Sequence, residues 1–317
     1  MARLIEASRL SVDYIQKDRR RLQAVSDVSL SVDAHETLAV VGESGCGKST
    51  LGKALLRLVP LANGKVFFNG TEITGIPARD FAQVRRRMQM VFQDPYASLD
   101  PRMKVRDLIA EPLETYRVYP TRRETDACVE ELLEAVGLRG ELLNRYAHQF
   151  SGGQRQRVGI ARAIALHPDF IVCDEPVSAL DVSVQNQILN LLRDLQQKFG
   201  LTYLFISHDL SVVRFLSDRV CVMFLGKVCE ISDTESVYAH PLHPYTRFLL
   251  DAIPKADPND RNRRRMLLSG EIPSPLDPPK GCRFHTRCPY ATDECRQIEP
   301  EMREVDGRTV ACHHCLE

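Results

Sequence analysis

Nine residues, Gly42 to Thr50, read GESGCGKST and satisfy the spacing G-x-x-x-x-G-K-[ST] at Gly42, Gly47, Lys48 and Ser49. Glycines let such a loop curl until successive backbone N–H groups point at phosphate oxygens. A helix starting at the end of the loop adds its positive dipole end. The candidate nucleotide-binding set is therefore Gly42, Ser44, Gly45, Cys46, Gly47, Lys48, Ser49 and Thr50. Lys48 is expected on the β- and γ-phosphates, and the Ser49 hydroxyl on Mg²⁺. Two further stretches carry acid–base chemistry. FIVCDEP places Asp174 at the end of an apolar run, suited to Mg²⁺, and puts Glu175 next to it, suited to polarising an attacking water. LFISHD ends another apolar run on His208, within expected reach of a γ-phosphate. Ser151-Gly152-Gly153-Gln154 heads a predicted helix and is a second anion-ready N-terminus. One nucleotide does not need two such sites. Two chains paired head to tail would use both, each Ser-Gly-Gly capping the γ-phosphate held by the other.

These residues need strands that end together and helices that begin there. TLAVV (37–41), FIVCD (170–174) and TYLFIS (202–207) are short continuous apolar runs, the pattern of strands buried on both faces. A helix is expected from the phosphate loop to Pro60, with Leu51, Ala54, Leu55 and Leu58 on its apolar face. Another is expected after Ser151 as far as His167-Pro168, and a third across 183–199 with Ile188, Leu191, Leu192 and Leu195 at helical spacing. Residues 102–150 read as mainly helical. AVSDVSLSV (24–32) alternates as an edge or antiparallel strand, and Asn69-Gly70 marks a hairpin. Strands alternating with helices predict an α/β fold with a parallel core sheet.

Composition sets the limits. The chain has 317 residues, 44% hydrophobic and 26% charged, with Lys+Arg and Asp+Glu both 42. That is a globular balance with no global basic field, which argues against nucleic acid as a partner. No run approaches the roughly 18–20 apolar residues of a membrane span. The stretch MARLIEASRLSVDY lacks the apolar core of a signal peptide, so a reducing cytosol is expected. From about residue 240 prolines crowd together, at 241, 244, 254, 258, 273, 275, 278 and 279, and NDRNRRR among them reads as a solvated basic run. A boundary or wrapped linker is expected near 240–260.

Six motifs in order make the chain resemble the ATP-binding subunit of an ABC transporter. They are the phosphate loop 42–50, Gln93 in MVFQDPYASLDP, the signature 151–154, the strand and carboxylates 170–175, SALD at 178–181 and His208. The resemblance covers residues 4–235. It implies a P-loop NTPase fold of the ABC nucleotide-binding type: parallel core sheet, antiparallel β subdomain and helical subdomain (about 94–160), within a domain spanning 1–240. It further implies that Tyr14 stacks on adenine, that Gln93 joins the Mg²⁺ and water shell and couples to membrane subunits, and that Asp181 lies at a dimer seam. ATP and Mg²⁺ are the implied cofactors. VVGESGCGKST, VFQDPYASLDPR, QFSGGQRQR, DEPVSALDVSVQ and HPLHPYTRFLL narrow the resemblance to ATPase subunits of dipeptide/oligopeptide importers. LSGEIPSPLDPPKGCRF resembles that group's C-terminal extension, here 241–317. Nickel, opine and glutathione importers share much of the pattern. A soluble ABC ATPase and a nucleotide-binding regulator without turnover are the rival classes. The implied partners are a second ABC ATPase subunit (a paralogue rather than a copy), two transmembrane permease subunits and an extracytoplasmic binding protein. The implied location is peripheral, on the cytoplasmic face of the cell membrane.

The remaining cluster is in the tail. Cys282, Cys288, Cys295 and Cys312 have five, six and sixteen residues between them, unlike the paired C-x-x-C of a zinc ribbon. A reducing compartment disfavours a disulfide knot. By resemblance to the same extension in the oligopeptide group the four thiolates would hold a [4Fe–4S] cluster, with zinc and metal-free thiols as the alternatives. Cys315 could replace Cys312 as fourth ligand. Cys46, Cys128, Cys173, Cys221 and Cys229 read as small core or loop residues.

Overall fold

The three apolar runs are strands buried along their whole length: Thr37–Val41, Phe170–Asp174 and Thr202–Ile206. In the computed structural model, which describes residues 3–253 and 273–316, the chain forms two compact units. One gathers residues 33–35 and 75–206, the other residues 3–32, 36–74 and the described residues from 207 onward.

In the first unit Met88–Val91, Phe170–Asp174 and Thr202–Ile206 run parallel, with Val91 opposite Cys173 and Asp174 opposite Ile206. Parallel strands in this register release their following residues at one edge, where ligands bind in open α/β sheets. Against the sheet pack Ala78–Arg87, Gly152–Ile164 and Val182–Phe199, and Val105–Thr115 and Arg122–Ala135 pack in turn on Gly152–Ile164. Their starts follow local chemistry. Thr121 and Glu124 form a reciprocal capping box, as do Ser151 and Gln154, and Asp181 caps Val182–Phe199 through the Val184 N–H. Residues 102–150 are less helical than their apolar spacing predicts. After Ala135 only two short 3₁₀ turns follow, Gly140–Leu142 and Ala147–Gln149.

In the second unit Arg21–Asp33, Arg3–Ile15, Asn63–Phe68 and Thr71–Glu72 lie side by side in one sheet. Asn69 and Gly70 both have positive φ, 48° and 73°, at the hairpin that pairs Phe68 with Thr71. Beside Thr37–Val41 lies Arg219–Phe224 in parallel. Lys227–Asp233 pairs antiparallel to Arg219–Phe224, and the tail strands Arg308–Val310 and Arg303–Val305 continue the order. The tail therefore adds backbone hydrogen bonds to the sheet that leads into the phosphate loop. The helix after that loop is shorter than predicted. It spans Lys48–Leu55, Arg57 takes a positive φ of 53°, and Leu58 is 47% exposed rather than core. Cys46, Cys128, Cys173, Cys221 and Cys229 are all buried, as their reading predicts.

Among the described residues no helix is long and apolar enough to cross a membrane. Pro254, Pro258 and the run NDRNRRR lie outside the described residues.

Candidate functional site

The phosphate loop joins Thr37–Val41 to Lys48–Leu55. Gly47 has φ 105°, and a Cβ there would fall 2.1 Å from the Ala24 carbonyl oxygen, so only glycine fits the turn. Lys48 is 5% exposed and lies back along the loop, donating from Nζ to the Gly42 oxygen at 2.8 Å and the Glu43 oxygen at 3.0 Å. The helix start has no side-chain cap, which leaves its first backbone N–H groups to an anion. Cys46 is buried and its thiol is pushed up by that burial, while Ser44 and Gly45 are exposed. Tyr14 is 36% exposed on Arg3–Ile15, and its hydroxyl lies 3.5 Å from Thr50 Oγ1. His208 is exposed and sits between Ser207, whose N–H donates to the Val40 oxygen, and Asp209, which caps Leu210–Leu216.

In the other unit Asp174 is 3% exposed at the end of its strand. Glu175 turns off the strand with φ 43°, a left-handed value that costs a non-glycine residue energy. Its N–H donates to the Ile206 oxygen at 3.0 Å and its carbonyl accepts from Ser178 Oγ at 3.1 Å, which pin that turn. Gln93 leaves Met88–Val91 at the same edge and donates from Nε2 to Glu175 Oε2 at 2.9 Å. A carboxylate held by an amide at a sheet edge can orient and polarise a water.

Ser151 accepts from the Gln154 N–H at 3.3 Å, and the Ser151 N–H donates to Gln154 Oε1 at 3.1 Å. A Cβ on Gly153 would fall 2.5 Å from Val184 Cγ1, and one on Gly152 3.2 Å from Leu180 Cδ2. The Ser-Gly-Gly helix start is thus packed against the beginning of Val182–Phe199, and the glycines are what allow it. Asp181 sits there, exposed; the Ser183 hydroxyl and then the Val184 N–H hold its carboxyl below the usual range.

Cys282, Cys288, Cys295 and Cys312 line one apolar cavity of about 10 Å³, room for about one water. Burial pushes the Cys282 thiol up to about 11 and the Cys312 thiol up to about 12. The quartet read from the sequence does converge, and its donor type suits a thiolate-ligated centre. Among the described residues no group of three or more His, Cys, Asp or Glu side chains is placed to hold a metal ion.

Sequence reading missed Glu43. It is the unspecified second position of the phosphate loop, yet Arg287 Nη1 donates to both its carboxylate oxygens, at 3.0 and 2.8 Å, and its N–H donates to the Tyr245 hydroxyl at 2.9 Å. The signal that could have found it is an acidic residue inside an anion-binding loop, which requires a compensating cation.

The sequence profile of the family described as "ABC transporter" matches residues 25–178. That of "Oligopeptide/dipeptide transporter, C-terminal region" matches residues 229–295. The putative oligopeptide transport ATP-binding protein YkfD of Bacillus subtilis is 51% identical over 312 residues, 98% of this chain and 95% of that one. The oligopeptide transport ATP-binding protein AppF of the same organism is 52% identical, over 92% of this chain and 89% of that one. Among solved structures, the dimeric ATP-binding cassette MJ0796 bound to ADP and Pi superposes with a TM-score of 0.67 at 28% identity, covering 73% of this chain and 99% of that one. A further likeness is to cbiO1 from Clostridium perfringens, part of the transporter complex cbiONQ. There the TM-score is 0.66 at 25% identity, over 75% of this chain and 92% of that one.

Proposed function

This chain belongs to the ABC transporter ATP-binding proteins, and on that premise we propose that it hydrolyses ATP to drive import of di- or oligopeptides across the cytoplasmic membrane. The observation that carries the reading is the co-occurrence, in one chain, of matches to the ABC transporter profile and to the oligopeptide/dipeptide C-terminal region. Relatives described as oligopeptide transport ATP-binding proteins support it over nearly the whole length. A nickel, opine or glutathione importer would use the same engine with other cargo. A soluble ABC ATPase is disfavoured by the match at residues 229–295.

In this reading residues 1–240 are the ATP-binding domain and 241–317 the extension. Tyr14 stacks on adenine, and the N–H groups of 42–50 cradle the phosphates. Lys48 exchanges its two loop carbonyls for β- and γ-phosphate oxygens. Ser49, Gln93 and Asp174 supply oxygen donors suited to Mg²⁺, which when bound neutralises phosphate charge. Glu175, steered by Gln93, orients the attacking water, and His208 donates to the γ-phosphate. Ser151, Gly152, Gly153 and Gln154 cap the γ-phosphate of an opposing subunit, with Asp181 at the seam. ATP then acts as glue between two ATPase subunits, a paralogue being the favoured partner. Closure is transmitted through Gln93 and residues 94–105 to two permease subunits, which hold the chain at the membrane's cytoplasmic face and receive cargo from an extracytoplasmic binding protein.

Cys282, Cys288, Cys295 and Cys312 are the residues that would hold a [4Fe–4S] cluster. Tagged chain extracted from membranes in mild detergent, under anaerobic conditions, is expected to bring down two strongly hydrophobic polypeptides and to carry iron and acid-labile sulfide. Recovery of the chain with soluble proteins only would reject the importer assignment. An iron-free, colourless sample would reject the cluster alone.

A further inference from the structure

Within the unit that holds the phosphate loop, the C-terminal segment reaches back to that loop at Glu43. This residue is fixed at three points. Its carbonyl accepts from Lys48 Nζ, its N–H donates to the Tyr245 hydroxyl, and its carboxylate takes both hydrogen bonds from Arg287 Nη1. The pair is poorly hydrated, with side chains 8% exposed at Arg287 and 19% at Glu43. Among the described residues Arg287 Nε has no partner. The guanidinium also lies 5.9 Å from the ring centres of Phe224 and Phe248. Phe284, three residues earlier, packs edge-on against Phe224 at 5.3 Å and tilted against Tyr245 at 5.2 Å. Arg283 donates to the Leu225 carbonyl and to Gln23 Oε1. Arg287 thus has a seat built by the tail, between Cys282 and Cys288.

The electrostatics give this brace a purpose. A carboxylate inside a loop built to receive phosphate repels the ligand, and in a half-buried site that repulsion is weakly screened. A guanidinium hydrogen-bonded to both oxygens cancels it and fixes the carboxylate's position. We propose that Arg287 and Tyr245 are positioning residues of the phosphate loop, and that Arg287 makes nucleotide affinity depend on the C-terminal extension by neutralising Glu43. The proposal rests on the reading of residues 42–50 as the nucleotide site.

The test is binding of Mg²⁺ with a fluorescent ATP analogue to the full chain, together with KM and kcat of the assembled complex. Arg287→Met leaves Glu43 uncompensated and is expected to raise Kd and KM about tenfold, with kcat within about twofold of wild type. Adding Glu43→Gln removes the repelling charge, so the double variant should return to within about threefold of wild-type affinity. A purely structural role for Arg287 predicts the opposite: the double variant stays as weak as the single one, and the loss falls on kcat through a smaller active fraction. If Arg287→Met fails to fold, Glu43→Gln alone decides. With Arg287 then unpaired beside the phosphates, the analogue should bind at least as tightly as to wild type, and weaker binding would overturn the proposal. Unchanged affinity in Arg287→Met, or no rescue in the double variant, would overturn it too. If wild type fails to bind the analogue, the reading of 42–50 itself falls, an outcome distinct from a brace that does nothing.

Discussion

Replacing Glu175 by glutamine is expected to lower steady-state ATP turnover of the assembled complex by about 10²–10⁴-fold, the usual contribution of a positioned general base. ATP affinity should stay within about threefold of wild type, and ATP-bound dimers should accumulate because they no longer reset. The substitution is nearly isosteric. It keeps an oxygen for the hydrogen bond from Gln93 Nε2, now 2.9 Å to Oε2, and it leaves untouched the backbone contacts to Ile206 and Ser178 that hold the φ of 43°. What it removes is the negative charge that polarises water. Turnover measured beside nucleotide-dependent size-exclusion chromatography reads both halves of the expectation. Undiminished turnover would show that Glu175 does not activate the attacking water.

Lys48→Ala should act on the other quantity. Lys48 is 5% exposed and already bridges two carbonyls of its own loop, Gly42 and Glu43. Its ammonium is a buried donor placed to be handed over to phosphate, and charge-assisted hydrogen bonds of that kind are each worth about 1.5–3 kcal/mol. Affinity for ATP should fall about 10- to 100-fold in a direct binding assay on the full chain. The alanine also abandons two carbonyl acceptors at the mouth of the loop, so part of the loss reflects a loosened loop. Lys48→Arg, which restores charge but not shape, should recover little. Wild-type affinity in Lys48→Ala would show that the loop does not grip nucleotide through this lysine.

The two expectations separate because the sequence motifs occupy different stretches of backbone with different physical signals. The phosphate loop is legible because glycines and a lysine at fixed spacing leave few alternatives. The strands Thr37–Val41, Phe170–Asp174 and Thr202–Ile206 are legible because they are buried throughout. The Gln93–Glu175 hydrogen bond follows from the parallel register, which a single strand cannot reveal. Apolar spacing overstates the helix after the loop. Leu58 continues the pattern, but Arg57 leaves the helical region and Leu58 is exposed. The stretch after Ala135 misleads for a similar reason, since apolar residues recur there in turns. The cysteine quartet stands out by count and spacing, whereas its tight cavity is a property of packing. The brace on Glu43 joins residues 244 positions apart and leaves no local pattern to read.

The central claim is that ATP hydrolysis by this chain is spent on moving peptide. It is tested most directly by reconstituting the chain with its co-purified membrane partners in proteoliposomes, with binding protein on one side and Mg²⁺-ATP on the other, and following a labelled tripeptide. Accumulation of the peptide is expected to require ATP, to stop in the Glu175→Gln complex and to be matched by peptide-stimulated phosphate release. ATP hydrolysis that proceeds at full rate while neither peptide nor any competing solute crosses the bilayer would contradict it.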